Sequence, residues 1–140
     1  MAANEVFADT SALYALIDRR DANHVAAREA VGRVVRASRL IVTTDYIVAE
    51  TVNLANARGS KPVATRVLDL IEQSAGIRVE WIGVERFARS KVFFRKHADH
   101  GYSFTDCTSF IVMKEERLTE ALTTDAHFVQ AGFKPLIQVG

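Results

Sequence analysis

Val6-Phe7-Ala8-Asp9-Thr10-Ser11-Ala12-Leu13-Tyr14-Ala15-Leu16-Ile17 changes character at one acidic residue. Before Asp9 the run is short and apolar; after it, Ala12 to Ile17 continues with helical rather than alternating character. The reading is strand, acidic junction, helix, and the same succession recurs along the chain. Leu40-Ile41-Val42-Thr43-Thr44 is a β-branched run that predicts a buried strand. It passes at Asp45 into a helix that ends near Ala57, with Gly59 as its expected C-terminal cap. Ala121-Leu122-Thr123-Thr124 predicts a further short strand ending directly in Asp125, then one helical turn through Phe128 to Gly132.

The intervening segments are read by the same rules. Asp18 to Asn23 is a polar loop whose last residue is placed to cap a helix from His24 to about Ser38, with Val25, Ala27, Val31, Val34 and Val35 as its apolar positions. Ser60 is expected to cap a helix with Pro62 in its first turn, running to about Ser74 and stopped by Gly76. Ile77 to Ile82 alternates apolar and polar residues, which suits a strand that is half exposed or at an edge. Gly83 ends that strand, and Val84 to about Asp99 is then a basic helix with Phe87, Ala88, Val92 and Phe94 for its buried side. Ser103 opens the next helix, with Phe104, Cys107, Phe110, Ile111 and Met113 facing inward. Lys134 to Val139 is a last strand, which Pro135 makes peripheral.

Short apolar strands alternating with longer helices predict right-handed crossovers and a mainly parallel sheet of roughly five strands covered on both faces, a three-layer α/β/α sandwich. The 140 residues suit one domain over residues 1–140. A composition 49% hydrophobic and 25% charged is that of a soluble globular protein, and no apolar run approaches membrane-spanning length. Met1-Ala2-Ala3-Asn4-Glu5 lacks a basic segment followed by an apolar one, so a cytoplasmic location is expected. The single cysteine, Cys107, agrees with a reducing compartment. A net charge of +1 is neutral on nucleic acid, because distribution matters more than the sum.

Ligands bind beyond the carboxyl ends of the strands in an open parallel sheet. Four acids embedded in apolar surroundings are expected at that edge: Asp9 after the first strand, Asp125 after the fourth, and Glu50 and Asp106 on helices that start there. Read alone, Asp9 and Asp125 are helix caps, Asp106 is half of a capping box with Ser103, and Glu50 is either one partner of an ion pair or a glutamate at the edge of the apolar stripe reaching out to water. Glu50 shares a helix face with Tyr46, Ile47 and Leu54, where a carboxylate is costly unless paired. Read together, converging carboxylates repel one another and need a counter-ion. Oxygen-only ligands without histidine or cysteine suit Mg²⁺ or Mn²⁺, and such ions support hydrolysis of a phosphodiester.

Phe7 to Ala12, Tyr46 to Glu50 with Asn53, Phe104 to Phe110 and Leu122 to Phe128 together resemble the PIN-domain ribonucleases, most closely their VapC-type toxins, over Val6 to Phe133. The resemblance implies an Mg²⁺- or Mn²⁺-dependent endoribonuclease whose acidic quartet is Asp9, Glu50, Asp106 and Asp125, with Thr10, Ser11 and Thr105 as supporting hydroxyls. It further implies a homodimer, a cognate antitoxin protein, and structured RNA such as tRNA or ribosomal RNA as substrate. Some relatives carry a further acid close after the last aspartate; Ala126-His127 stands there, which puts a second metal site in doubt.

Other features carry less. Cys107 beside Asp106 has no histidine placed locally to activate it and reads as a small buried hydrophobe. His24, His97, His100 and His127 show no ligand spacing, although His127 is a candidate contact for a substrate phosphate. Lys91 and Arg95 on the basic helix are candidate RNA contacts; the alternative for that helix is a solvated face. A phosphoacceptor receiver domain would need an acidic pair after the first strand and a lysine after the last, and Asp9-Thr10 and Gln138-Val139 supply neither. A PIN nuclease for RNA maturation or structure-specific DNA cleavage, and a catalytically silent interaction module of the same fold, stay open.

Overall fold

Parallel pairing joins every pair of neighbouring strands in a five-stranded sheet of order β3-β2-β1-β4-β5. The strands are β1 (Glu5–Ala8), β2 (Leu40–Thr44), β3 (Ile77–Glu80), β4 (Glu120–Leu122) and β5 (Lys134–Pro135). These positions come from a computed structural model that describes residues 4–58 and 60–139. The helices are α1 (Thr10–Ile17), α2 (His24–Arg36), α3 (Asp45–Ala57), α4 (Lys61–Gln73), α5 (Gly83–Lys96), α6 (Phe104–Glu115) and α7 (Ala126–Gln130), with a short 3-10 turn at Ala98–His100.

The strand order fixes the layers. The chain runs outward from β1 through β2 to β3, then crosses back to β4 and on to β5, so right-handed crossovers put α1 to α4 on one face and α5 to α7 on the other. Most helix packing follows that division: α1 lies against α2, α3 and α4, and α6 against α5 and α7, while α3 and α6 also touch. The order reverses between β2 and β4 on either side of β1, which makes the carboxyl end of β1 the switch point where such sheets form their crevice.

Central strands are dry on both faces, as the unbroken apolar runs anticipate: Val6, Phe7, Ala8, Val42, Ala121 and Leu122 are buried. On α6, Phe110 packs against Tyr102 and Phe128 with ring centroids 5.0 Å away in each case. Arg78 extends from the edge strand β3 to Glu5 of β1 at 2.6 Å and to Glu116 beyond α6 at 3.1 Å. Arg86 of α5 meets Glu80 at 3.0 Å and Glu115 at 2.9 Å. At φ 73°, Gly101 adopts the left-handed backbone that turns the chain from the 3-10 segment into Tyr102 and the α6 cap.

Several expectations shift. Asn23 occupies the residue before α2, but its side chain makes no cap bond; its own N–H donates to Asp21 instead. The helix ends at Arg36 rather than near Ser38, which has φ 56°, and Val25 and Val35 lie exposed. Ser60 does cap α4, accepting from the Val63 N–H. The cap expected at Gly59 and the reading of Met1 to Ala3 lie outside the described residues. Strand β3 stops at Glu80, leaving Trp81 exposed and Ile82 buried. The last strand is confined to Lys134–Pro135, at the sheet edge as Pro135 required.

Helix α5 departs most. Phe87, Ala88, Val92 and Phe94, expected inside, are all exposed to a substantial degree, and the inward stripe is Arg86, Ser90, Phe93 and His97. Charge explains the rotation: Arg86 and Arg89 reach the glutamates at the end of α6 only from that setting. On α6, Val112 joins the buried face while Phe104 and Ile111 are half-buried. Among the described residues, no helix is long and apolar enough to cross a membrane.

Candidate functional site

Asp9 follows β1 directly and caps α1, its Oδ1 accepting from the Ala12 N–H at 3.1 Å and from the Ser11 hydroxyl at 2.7 Å. The Thr123 hydroxyl donates to Oδ2 at 2.7 Å. The carboxyl is only 4% exposed, and burial pushes its pKa up to about 6 against the pull of those three donors, with the nearby Asp125 charge adding to the rise. This residue is thus a cap, but one whose charge the fold holds at a cost.

Asp125 lies three residues beyond the end of β4, and its N–H donates to the same Thr123 hydroxyl oxygen at 2.9 Å, which ties the two aspartates through one side chain. Asp125 was expected directly after the fourth strand; Thr123 and Thr124 intervene because β4 ends at Leu122. Asp125 in turn caps α7 by accepting the His127 N–H at 2.9 Å.

Asp106 makes the capping box with Ser103 in full: its N–H donates to the Ser103 hydroxyl at 3.0 Å and its Oδ2 accepts the Ser103 N–H at 3.1 Å. The same Oδ2 lies 2.9 Å from Nδ1 of His127, and Oδ1 of Asp125 is 3.5 Å from that nitrogen. Burial raises the Asp106 pKa, opposed by the Ser103 N–H and His127. Capping and participation in an acidic group are therefore compatible for Asp9, Asp106 and Asp125 alike.

The four carboxylates do not converge equally. Asp106, Asp125 and His127 offer donor atoms that all lie within 4.8 Å of one another, while Asp9 joins them through Thr123. Glu50 is exposed, so the costly apolar setting read for it does not exist; Ile47, Thr51 and Ala55 are the buried positions of α3. It reaches the others only by accepting the Thr10 hydroxyl, one residue from Asp9. Of the three hydroxyl residues named from the sequence, Thr10 donates to Glu50 and Ser11 to Asp9, whereas the Thr105 carbonyl accepts from Thr108. Thr123 was missed, since nothing local marks a strand-end hydroxyl as shared by two acids. His127, weighed as a phosphate contact, stands among the acids, its Nδ1 within hydrogen-bond distance of Asp106 Oδ2.

Charge balance gives the group its meaning. Among the described residues no lysine or arginine lies within 4.0 Å of Asp9, Glu50, Asp106 or Asp125, and the one basic side chain in contact with them is His127. Elsewhere Arg78 and Arg86 neutralise Glu5, Glu80, Glu115 and Glu116, whereas the acids gathered at this edge have no such partner. Carboxylates left in this state at a sheet switch point fit a divalent cation. The Cys107 thiol beside them is fully buried, and burial pushes its pKa up to about 11, which leaves it inert.

On α5, Lys91 and Arg95 are exposed, and neither pairs with a carboxylate among the described residues; the Lys91 ammonium lies 5.5 Å over the Phe87 ring. Arg86 and Arg89 of the same helix are bound in ion pairs, so only part of the basic helix is free to meet a polyanion.

Comparison with known proteins agrees with this geometry. The PIN domain family matches residues 6–134. The chain is similar to the 23S rRNA-specific endonuclease VapC20 of Mycobacterium tuberculosis, strain CDC 1551, at 31% identity over 130 residues, covering 91% of this chain and 95% of that protein. The VapC20 of strain H37Rv matches at the same 31% identity. A crystal structure of M. tuberculosis VapC20, described as a Sarcin-Ricin loop cleaving toxin, superposes with a TM-score of 0.84 at 29% identity, covering 95% of this chain and 99% of that one.

Proposed function

Because the chain belongs to the PIN-domain family, in its VapC-type branch, we propose that it is a toxin-type endoribonuclease. It hydrolyses phosphodiester bonds of structured RNA at Asp9, Glu50, Asp106 and Asp125 with Mg²⁺ or Mn²⁺. The observation that carries this reading is the acidic group at the switch point without a lysine or arginine partner among the described residues. The similarity to VapC20 makes ribosomal RNA, and the sarcin-ricin loop within it, the first substrate to try; tRNA is the second.

A bound divalent cation would supply Lewis-acid polarisation of the scissile phosphate and lower the pKa of water. The chain's own part is to place and hold charge. Asp106 and Asp125 would hold the cation, with Asp9 fixed by Ser11 and Thr123 and tied to Asp125 through Thr123. Glu50, exposed and oriented by Thr10, is the carboxylate free to take a proton from water at the rim. Incubation with a sarcin-ricin hairpin and with tRNA, each with and without Mg²⁺ or Mn²⁺, tests the proposal: one discrete cut that disappears with EDTA is expected, and cutting that persists in EDTA would refute it.

Lys91 and Arg95 are proposed to bind phosphates flanking the cut, given their exposure and lack of acidic partners. Replacing either with alanine should weaken RNA binding and reduce the slope of log affinity against log salt by about one. An unchanged slope would assign them to a solvated face. A cognate antitoxin and a second copy are proposed as protein partners in the cytoplasm. Exposed Trp81 just before α5 with Val84 and Val92 on it, and an apolar groove lined by Leu16, Val31, Val35 and Leu70, are surfaces that support such contacts.

A further inference from the structure

We propose that His127 is itself a ligand of the divalent cation, giving Asp106 and Asp125 a nitrogen partner and making the centre select Mn²⁺ over Mg²⁺. The inference rests on the metal-nuclease reading and goes beyond it, because an all-carboxylate set would not discriminate in this way.

Geometry is the first support. Cation–ligand bonds of about 2.1 Å at right angles set neighbouring donor atoms about 3 Å apart. Nδ1 of His127 shares a hydrogen bond with Oδ2 of Asp106 at 2.9 Å and stands 3.5 Å from Oδ1 of Asp125; with that nitrogen free of its proton, as ligation requires, both spacings are close to the edges of such a polyhedron. All three donors fall within 4.8 Å of one another.

Positioning is the second. The His127 N–H is held by Asp125 Oδ1, which fixes the backbone of the Asp125-Ala126-His127 turn. The ring packs edge-on against Tyr102, centroids 5.4 Å apart, and Tyr102 is itself buried against Phe110. The imidazole is thereby aimed at the acids from a built wall, unlike His24 and His97, whose Nδ1 atoms engage the carbonyls of Ala15 and Phe93.

Selectivity follows from donor chemistry. Mg²⁺ takes oxygen ligands and keeps its waters, so an imidazole adds little to its binding, whereas a nitrogen donor strengthens binding of transition ions. Mixed nitrogen and oxygen ligation therefore favours Mn²⁺.

Pulsed EPR of Mn²⁺ bound to the wild-type protein reads the ligand directly, and calorimetric titration with Mn²⁺ and with Mg²⁺ reads selectivity. Nitrogen-14 modulation is expected in the wild type and its loss in His127→Ala and His127→Gln, both checked for folding by circular dichroism. Mn²⁺ affinity should fall about tenfold or more in both variants, with Mg²⁺ affinity changed less than about twofold by the same donor argument. Mn²⁺ bound with oxygen donors only, or variants that bind both ions more tightly, would overturn the inference and show His127 to be a counter-charge for the acids. Failure of the wild type to bind Mn²⁺ at all would refute the metal-nuclease reading as well, so the two failures are distinguishable.

Discussion

Asp106→Asn is expected to abolish RNA cleavage while leaving the protein folded. Asparagine keeps an oxygen to accept the Ser103 N–H, and the backbone N–H of position 106 still donates to the Ser103 hydroxyl, so the capping box survives in its main part. Losing a helix cap outright costs about 1 kcal/mol. Here the loss is smaller, because Asp106 is held against burial and beside Asp125, and a neutral isostere relieves both. The melting temperature should therefore move by only a few degrees. Cleavage should fall by about 10²- to 10⁴-fold, since a cation held at a phosphoryl centre contributes several kcal/mol of transition-state stabilisation. Gel assays of a sarcin-ricin hairpin and thermal melts of the same preparation decide it. A folded variant that cleaves at the wild-type rate would make Asp106 a cap and nothing more.

Asp9→Asn should separate stability from activity in the opposite sense, becoming more stable as it loses function. Burial raises the Asp9 pKa to about 6, so the folded state binds that proton more tightly than the unfolded chain does. Such a group favours folding below its ordinary pKa, and the contribution is lost as pH rises from about 4 through about 6. Keeping Asp9 charged at neutral pH costs the metal-free fold on the order of 3 kcal/mol at most. Asparagine removes that cost and keeps an oxygen for Ser11 and Ala12, with its amide facing the Thr123 hydroxyl. Without metal, variant and wild type should melt alike near pH 4, and the variant should melt higher by pH 7. Saturating Mn²⁺ should raise the wild-type melting temperature, by about 2.7 kcal/mol of stabilisation at a hundredfold excess over Kd, and raise the variant far less. A variant that melts lower than the wild type at pH 7 in EDTA would show Asp9 to be mainly a cap.

Both predictions expose the same physical situation. Three acids terminate or cap helices at the carboxyl edge, which is what any short polar side chain does there, yet these three are also left without lysine or arginine partners among the described residues. Local capping energy sets the turns, and the unbalanced charge is what remains for ligand binding.

How much of this the chain declares in its linear order depends on the range of the interaction involved. Strand, acidic junction and helix at Val6 to Ile17 rest on periodicity and capping, which act over a few residues, and they are found where the residues put them. The parallel sheet follows from alternation of short strands and helices, and the motifs were enough to indicate the PIN family. Tertiary structure alone decided the rest. Helix α5 is rotated away from the face its aromatics suggested, because Arg86 and Arg89 find their glutamates across 26 or more residues of chain, at Glu115 and Glu116. Glu50 sits at the exposed rim, since its neighbours Ile47, Thr51 and Ala55 take the buried side of α3. Thr123 and His127 enter the site through hydrogen bonds to residues distant in sequence, Asp9 and Asp106. Amphipathic pattern tells which side chains avoid water; which charges meet depends on where the crossovers deliver them, and that is a property of the assembled fold.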